Sequence, residues 1–137
     1  MKINIFNAAL ITVILITLSS CNNSCSFELI YSVKSPVGNK TARFVRGNCG
    51  ATTGYKYEVR ISKDSDSALE DGKAVLRFDD NHAENWPVDE RQLIALTWSD
   101  DKKLHIAVLR PVRVFMEDDS AQGVDVNYQY SLGTSKL

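Results

Sequence analysis

Alternation of apolar and polar residues with a period of two, repeated along the chain, is the feature that most restricts its fold. The pattern is clearest at residues 55–62, YKYEVRIS, where Tyr55, Tyr57, Val59 and Ile61 alternate with polar residues. Successive side chains of a strand point to opposite faces of a sheet. The segment therefore predicts a strand with one buried face and one solvent-facing side.

Comparable runs, separated by turn-forming residues, extend over most of the chain. The predicted strands are residues 27–33, 41–46, 55–62, 74–79, the two halves of 93–109, 112–116 and 124–132. Residues 63–73 are predicted to form a solvated loop, and residues 79–92 a long irregular segment with one helical turn after Pro87. We predict an all-β domain, either a small antiparallel β-sandwich or a barrel-like meander of about seven or eight strands.

The first 21 residues, MKINIFNAALITVILITLSSC, have the composition of an export signal, with Lys2 ahead of an uncharged apolar stretch. That stretch is shorter than the ~20 residues of a membrane-spanning helix. The segment LSSC at residues 18–21 resembles the lipobox of bacterial lipoproteins. The resemblance implies that residues 1–20 are removed and that Cys21 is acylated. The alternative is an ordinary cleaved signal peptide and a soluble secreted protein.

The remaining chain is predicted to contain a lipid-anchored spacer at residues 21–26 and a single β-rich domain at residues 27–137. Asn22 stands where an aspartate favours retention in the inner membrane of enteric bacteria. We therefore expect a cell-envelope protein that is anchored by lipid in the outer membrane and faces the periplasm.

The cysteines also indicate an exported domain. With Cys21 assigned to lipid, Cys25 and Cys49 remain as an even pair and are predicted to form a disulfide. The alternatives are a reactive thiol at Cys49 or a thiol pair that binds a metal. The chain favours neither of them, because it has no CxxC spacing and no histidine near these cysteines in sequence.

Charge argues against a nucleic-acid partner. Removal of Lys2 with the signal leaves 15 of the 16 basic residues against 17 acidic ones, a formal net charge of −2. No cluster of Lys and Arg is present of the kind that binds nucleic acid.

The loop CGATTG at residues 49–54 has the composition of a connection between strands, because glycine allows unusual backbone angles and threonine hydroxyls cap turns. A phosphate-binding loop is disfavoured, since a strand follows it instead of a helix. A catalytic loop or a partner-binding loop is the alternative. In the latter case Thr52, Thr53 and Tyr55 would be contact residues.

Three stretches together resemble a known group of small bacterial proteins: NCGATTGY at residues 48–55, SPVG at 35–38, and the hairpin from Trp98 to Ile106. Members carry a DCGATTxF-like stretch and an SPDG-like turn, and many have lipoprotein signals. The resemblance implies a shared domain and no particular activity. Asn48 and Val37 replace the acids that are usual in the group.

Metal and catalytic sites find little support in the sequence. His82 lies near Asp79, Asp80 and Glu84, but carboxylates in a solvated loop are far commoner than a metal site. His105 is predicted to lie on a strand, opposite its apolar neighbours. Residues 64–68, DSDSA, begin like a calcium-binding loop, but an alanine replaces the third ligand. No serine has the GxSxG surround of a nucleophile elbow. We predict neither metal, cofactor nor enzymatic activity.

The function predicted is that of a non-catalytic module that binds another envelope or secreted protein, in the manner of an inhibitor or immunity protein. Inhibition of lysozyme is a narrower form of this hypothesis. Trp86, in the longest loop, is the preferred contact residue, since tryptophan is enriched in binding hot spots. The alternative interpretation of Trp86 is a cover over the edge of the core. The alternative function is a structural or accessory envelope lipoprotein with no soluble target.

Overall fold

The computed structural model describes residues 25–50, 54–80 and 86–137. Within these residues the chain forms ten strands and one short 3-10 helix, Glu90–Gln92. The strands are β1 (Ser26–Lys34), β2 (Lys40–Asn48), β3 (Lys56–Lys63), β4 (Lys73–Asp79), β5 (Ile94–Asp100), β6 (Lys103–Val108), β7 (Arg113–Glu117), β8 (Ser120–Ala121), β9 (Val124–Tyr130) and β10 (Ser135–Lys136).

The strands form two sheets that enclose one hydrophobic core. The larger sheet has the order β1-β2-β3-β4-β7-β10, and the smaller has the order β5-β6-β9-β8. The first four strands are an antiparallel meander, whereas β6 pairs with β9, and β7 with β10, in parallel. Both sheets contribute buried side chains to a single cluster. The all-β class, the two-layer arrangement and the disulfide are thus confirmed.

All eight predicted strands are present, but the expected total was wrong. The additional strands are β8 and β10, which have two residues each. Two residues are too few to show a period in the sequence. The two parallel pairs arise because the chain changes sheet three times after β6. It forms β7 in the larger sheet, returns to the smaller sheet for β8 and β9, and ends with β10 in the larger sheet.

A bulge in β1 changes which of its residues face the core. The register of β1 against β2 shifts between Leu29 and Tyr31, so that Ile30 has no partner residue. The bulge places Tyr31 inward, opposite the buried Phe44, while Leu29 lies on the outer face, opposite Val45. An extra residue in one strand inverts the alternation beyond it. The strand predicted at residues 27–33 is thus present as β1, but its alternating apolar residues do not all face the same side.

The outer face of β3 was predicted to be solvent-facing, but much of it is covered. Glu58 is 7% exposed and Ser62 is fully buried. The loop between β3 and β4 folds back over the sheet, held by two arginines whose guanidinium groups bind its carbonyl oxygens. Arg43 donates to the carbonyls of Asp66 and Ala68, and Arg60 to those of Glu70 and Gly72. The predicted solvated loop thus forms a layer on the sheet.

Aromatic side chains of each sheet bond the backbone of the other. The Tyr31 hydroxyl donates to the carbonyl of Ile94 at 3.0 Å, and the Trp98 indole donates to the carbonyl of Val33 at 3.0 Å. These two bonds join the edge strands β1 and β5. The Tyr128 hydroxyl on β9 contacts two carbonyl oxygens, those of Val75 on β4 and Asp118, at 2.8 and 2.7 Å.

The disulfide joins Cys25 to Cys49, 24 residues apart in sequence. Closure of a loop of this length contributes about 3.5 kcal/mol to stability on the chain-entropy model. It ties the start of β1 to the end of β2. In the described part of the chain, no helix has the length and apolar character needed to cross a membrane.

Buried tyrosines should make stability sensitive to alkaline pH. Burial raises the pKa of Tyr31 to about 12, and burial also raises the pKa values of Tyr57, Tyr128 and Tyr130. In the unfolded chain these phenols lose their protons near pH 10. Their contribution to stability is therefore complete below pH 10 and is lost as pH rises through the folded-state pKa values.

We expect the free energy of unfolding, measured with urea, to be lower at about pH 11 than at about pH 8, while tyrosinate absorbance of the folded protein stays low. Addition of urea at the higher pH should release that absorbance. A free energy of unfolding that stays constant over this range would contradict the argument.

Candidate functional site

One end of the larger sheet brings together several residues that the sequence analysis selected. At this end β1 and β3 begin while β2 and β4 end, as the pairing of Ser26 with Asn48 and of Tyr57 with Phe78 shows. The Cys25–Cys49 disulfide lies here. Tyr55 immediately precedes β3.

Tyr57 connects this end of the sheet to the core. The residue is 2% exposed, and its ring lies 5.3 Å from that of Phe78 and 5.5 Å from that of Trp86, measured between centroids. The Tyr57 hydroxyl accepts a hydrogen bond from the Trp86 indole at 3.0 Å and donates one to a Glu90 carboxylate oxygen at 2.8 Å. The indole of Trp86 is thereby fixed, and its ring partly covers the core.

Glu90 extends this network to the surface. Asp89 caps the 3-10 helix by accepting a hydrogen bond from the backbone of Arg91, which fixes the position of Glu90. The same Glu90 oxygen accepts a hydrogen bond from Arg46 at 2.9 Å. The guanidinium carbon of Arg46 lies 4.6 Å from the centre of the Tyr55 ring, a cation–π contact.

Arg46, Tyr55, Trp86 and Glu90 together form what we call the aromatic surface. Tyr55 is 50% exposed, Trp86 is partly buried, and Val88, two residues beyond Trp86, is fully exposed. Tryptophan, tyrosine and arginine are the residues most enriched in binding hot spots. The arrangement suits contact with another macromolecule.

Tyr57 and Arg46 keep their protons near neutral pH. Burial, followed by the hydrogen bond to Glu90, raises the pKa of Tyr57, so its hydroxyl remains a neutral donor. A hydrogen bond to Glu28, which Arg46 contacts at 2.5 Å, is the main cause that raises the pKa of Arg46.

Several predicted residues lie outside the described part of the chain: Cys21, Thr52, Thr53, His82 and Glu84. Three statements about them therefore stay predictions: that Cys21 is lipidated, that Thr52 and Thr53 contact a partner, and that the loop with His82 and Glu84 binds no metal. The structure does show that Tyr55 and Trp86, predicted separately, belong to one connected surface.

In residues 64–68, the segment that begins like a calcium-binding loop, both aspartates bind other groups of the chain. Asp64 pairs with Lys34 at 2.9 Å, and Asp66 accepts a hydrogen bond from the backbone of Lys63 at 2.8 Å. Among the described residues, no group of three or more His, Cys, Asp or Glu side chains is placed to hold a metal ion. His105 lies on β6, half-buried, between the buried Leu104 and Ile106.

The sequence pattern did not single out Arg46 and Glu90, which connect the two aromatic residues. They are 44 residues apart, and their ion pair depends on where the 3-10 helix packs against β1 and β5. No spacing rule relates residues so distant. The alternation did place Tyr57 on the buried face of β3.

Comparison of the chain with protein-family models, with curated proteins and with solved structures found no match. The resemblance to small bacterial lipoproteins carrying a CGATT stretch therefore stays a prediction.

The variant Tyr57→Phe should test the network. It keeps the ring in the core but removes the hydroxyl that joins Trp86 to Glu90. Because it leaves an indole N–H and a carboxylate without this partner, we expect stability to fall by about 1–3 kcal/mol in urea unfolding followed by tryptophan fluorescence. Tyr55→Phe is the matched control, and removal of this more exposed hydroxyl should change stability by less than about 0.5 kcal/mol. Equal effects of the two variants would contradict the proposed role of the Tyr57 hydroxyl.

Proposed function

We propose that this chain is a lipid-anchored protein of the bacterial cell envelope that binds another protein, without catalysis, through the aromatic surface. The observation that carries the proposal is the continuous contact between Tyr55, Arg46, Glu90, Tyr57 and Trp86. Hot spots are clusters of such side chains, surrounded by residues that exclude water.

Pre-ordering of the surface supports this function. Arg46 is held between Glu28 and Glu90, and Trp86 is held by Tyr57. A side chain that is already fixed loses little conformational entropy when a partner binds, which favours affinity. Thr52 and Thr53, which directly precede Gly54 and Tyr55, would extend the contact area.

The lipid anchor is supported by the LSSC segment ending at Cys21. Cys25 follows four residues later, so its Cα lies at most about 14 Å from that of Cys21. The disulfide end of the sandwich is thus held near the point of attachment. An inhibitor or immunity protein of the envelope would meet its partner at this end, and assays against a panel of lysozymes test the narrowest form of the proposal.

The anchor can be tested by labelling with a clickable palmitate analogue in a bacterium that processes lipoproteins. We expect the unaltered chain to carry the label and to fractionate with membranes, and Cys21→Ser to lose both properties. Cys25→Ser is the control and should retain both. A soluble, unlabelled product from the unaltered chain would instead indicate an ordinary cleaved signal peptide.

The aromatic surface can be tested on the partner recovered by crosslinking the exported Cys21→Ser chain in the periplasm. We expect Tyr55→Ala to weaken the affinity for that partner at least tenfold in a purified binding assay. The matched control is Phe115→Ala, because Phe115 is also an exposed aromatic residue beside an arginine, at 5.1 Å from Arg113.

Unchanged affinity for Tyr55→Ala, or an equal loss for Phe115→Ala, would remove the aromatic surface from the proposal. Self-association of the chain at micromolar concentration, with no second protein recovered, would favour the accessory envelope role in its place.

A further inference from the structure

A concave surface, separate from the aromatic surface, lies on the outer face of the larger sheet, at the same end as the disulfide. This groove has a volume of about 360 Å³ and is lined by Phe27, Gly47, Lys56, Glu58, Arg77 and the Cys25–Cys49 disulfide. We call it the basic groove. Its residues come from four adjacent strands, because Phe27, Gly47 and Lys56 are register partners in one row, and Glu58 and Arg77 in the next.

Gly47 forms the floor of the basic groove. A Cβ atom at this position would lie 3.1 Å from Cε1 of Phe27, which is closer than normal packing allows. The absence of a side chain therefore lets the Phe27 ring lie across the strand. The disulfide closes one end, so the groove has an apolar floor and wall.

The rim of the basic groove carries an excess of positive charge. Glu58 is its only lining carboxylate, and that side chain is 9% exposed and paired with both Arg60 and Arg77. Lys56 is exposed and makes no ion pair with any residue in the described ranges. The lining thus has two cations, Lys56 and Arg77, and one carboxylate, which the neighbouring Arg60 also pairs.

Arg60 has an unsatisfied donor beside the groove. Its Nε atom is buried and has no hydrogen-bond partner among residues 25–50, 54–80 and 86–137. The guanidinium carbon of Arg60 lies 5.7 Å from the centre of the Phe27 ring. Arg77, by contrast, is about half exposed and contacts Glu58 through its own Nε at 2.8 Å. The local field therefore favours an anion that approaches along Lys56 and Arg77.

We propose that the basic groove binds the phosphate of an anionic phospholipid headgroup in the membrane that carries the anchor. The inference rests on the lipid anchor of the proposed function, because Cys25 lines the groove and lies within about 14 Å of Cys21 along the chain. A phosphate diester supplies a negative charge, which the positively charged rim would bind. The apolar floor at Phe27 suits the glycerol and upper acyl region beside that phosphate.

Binding in the basic groove would fix how the domain stands on the membrane. A short tether alone allows rotation about the anchor, whereas a second contact on the outer face of the sheet selects one orientation. Basic residues near an anionic surface each strengthen attachment modestly, so two of them orient a domain that lipid already holds.

The experiment measures vesicle binding of the processed chain carrying Cys21→Ser, which retains every strand, the disulfide and the whole described core. Sedimentation should show about 30-fold stronger binding to vesicles containing phosphatidylglycerol than to phosphatidylcholine alone, for two exposed cations. The double variant Lys56→Gln, Arg77→Gln should lose this preference. The control Lys102→Gln, Lys103→Gln changes net charge equally, at the start of β6, and should keep the preference.

Four outcomes would overturn the proposal. Equal binding to the two vesicle types, which both carry a phosphate diester, would exclude selectivity for an anionic headgroup. Equal losses for groove and control variants would attribute that selectivity to net charge alone. NMR shifts of groove residues with inorganic phosphate, but without vesicle binding, would assign the groove to free phosphate. A partner protein whose binding fails only in the groove variant would likewise assign the groove to a protein anion. The vesicle assay uses a chain without an acyl group, so its result does not depend on whether Cys21 is lipidated. Failure of the proposed lipid anchor would be detected only by the palmitate labelling.

Discussion

The position of Tyr57 links the stability of the sandwich to the geometry of its candidate site. Its ring belongs to an aromatic series that runs from Tyr31 through Phe44 and Phe78 and ends at Trp86. Its hydroxyl lies where the core meets the surface and bonds two groups that would otherwise lack these partners. The Tyr57 ring is held by packing and its hydroxyl by hydrogen bonds. Trp86 and Glu90 are therefore held in place by their bonds to a core residue.

The strands and the disulfide were predictable because each depends on local or countable features. A period of two over seven or more residues is enough to identify a strand, as in β3 and β9. The pairing of Cys25 with Cys49 required only that Cys21 be assigned elsewhere. At the site, the same alternation placed Tyr57 inward, and composition selected Tyr55 and Trp86 as candidates.

The remaining features depend on contacts that no local pattern encodes. The bulge at Ile30 reverses the faces of β1, and a second register shift after Val59 brings Val75 into the core. Each inserts one residue and leaves the sequence looking regular. The covered outer face of β3 depends on Arg43 and Arg60 binding carbonyls of a polar loop, where backbone groups rather than side chains are the partners. The composition of such a loop predicts only that it is exposed.

The aromatic surface and the basic groove lie at the same end of one sheet but on its opposite faces. Arg46 and Tyr57 occupy the core-facing side, whereas Gly47 and Lys56 occupy the outer side, as alternation along β2 and β3 requires. Because the two surfaces are on opposite faces, occupation of the basic groove would leave the aromatic surface open to a partner. The two proposed contacts therefore do not compete, and each can be removed by substitutions that leave the other in place.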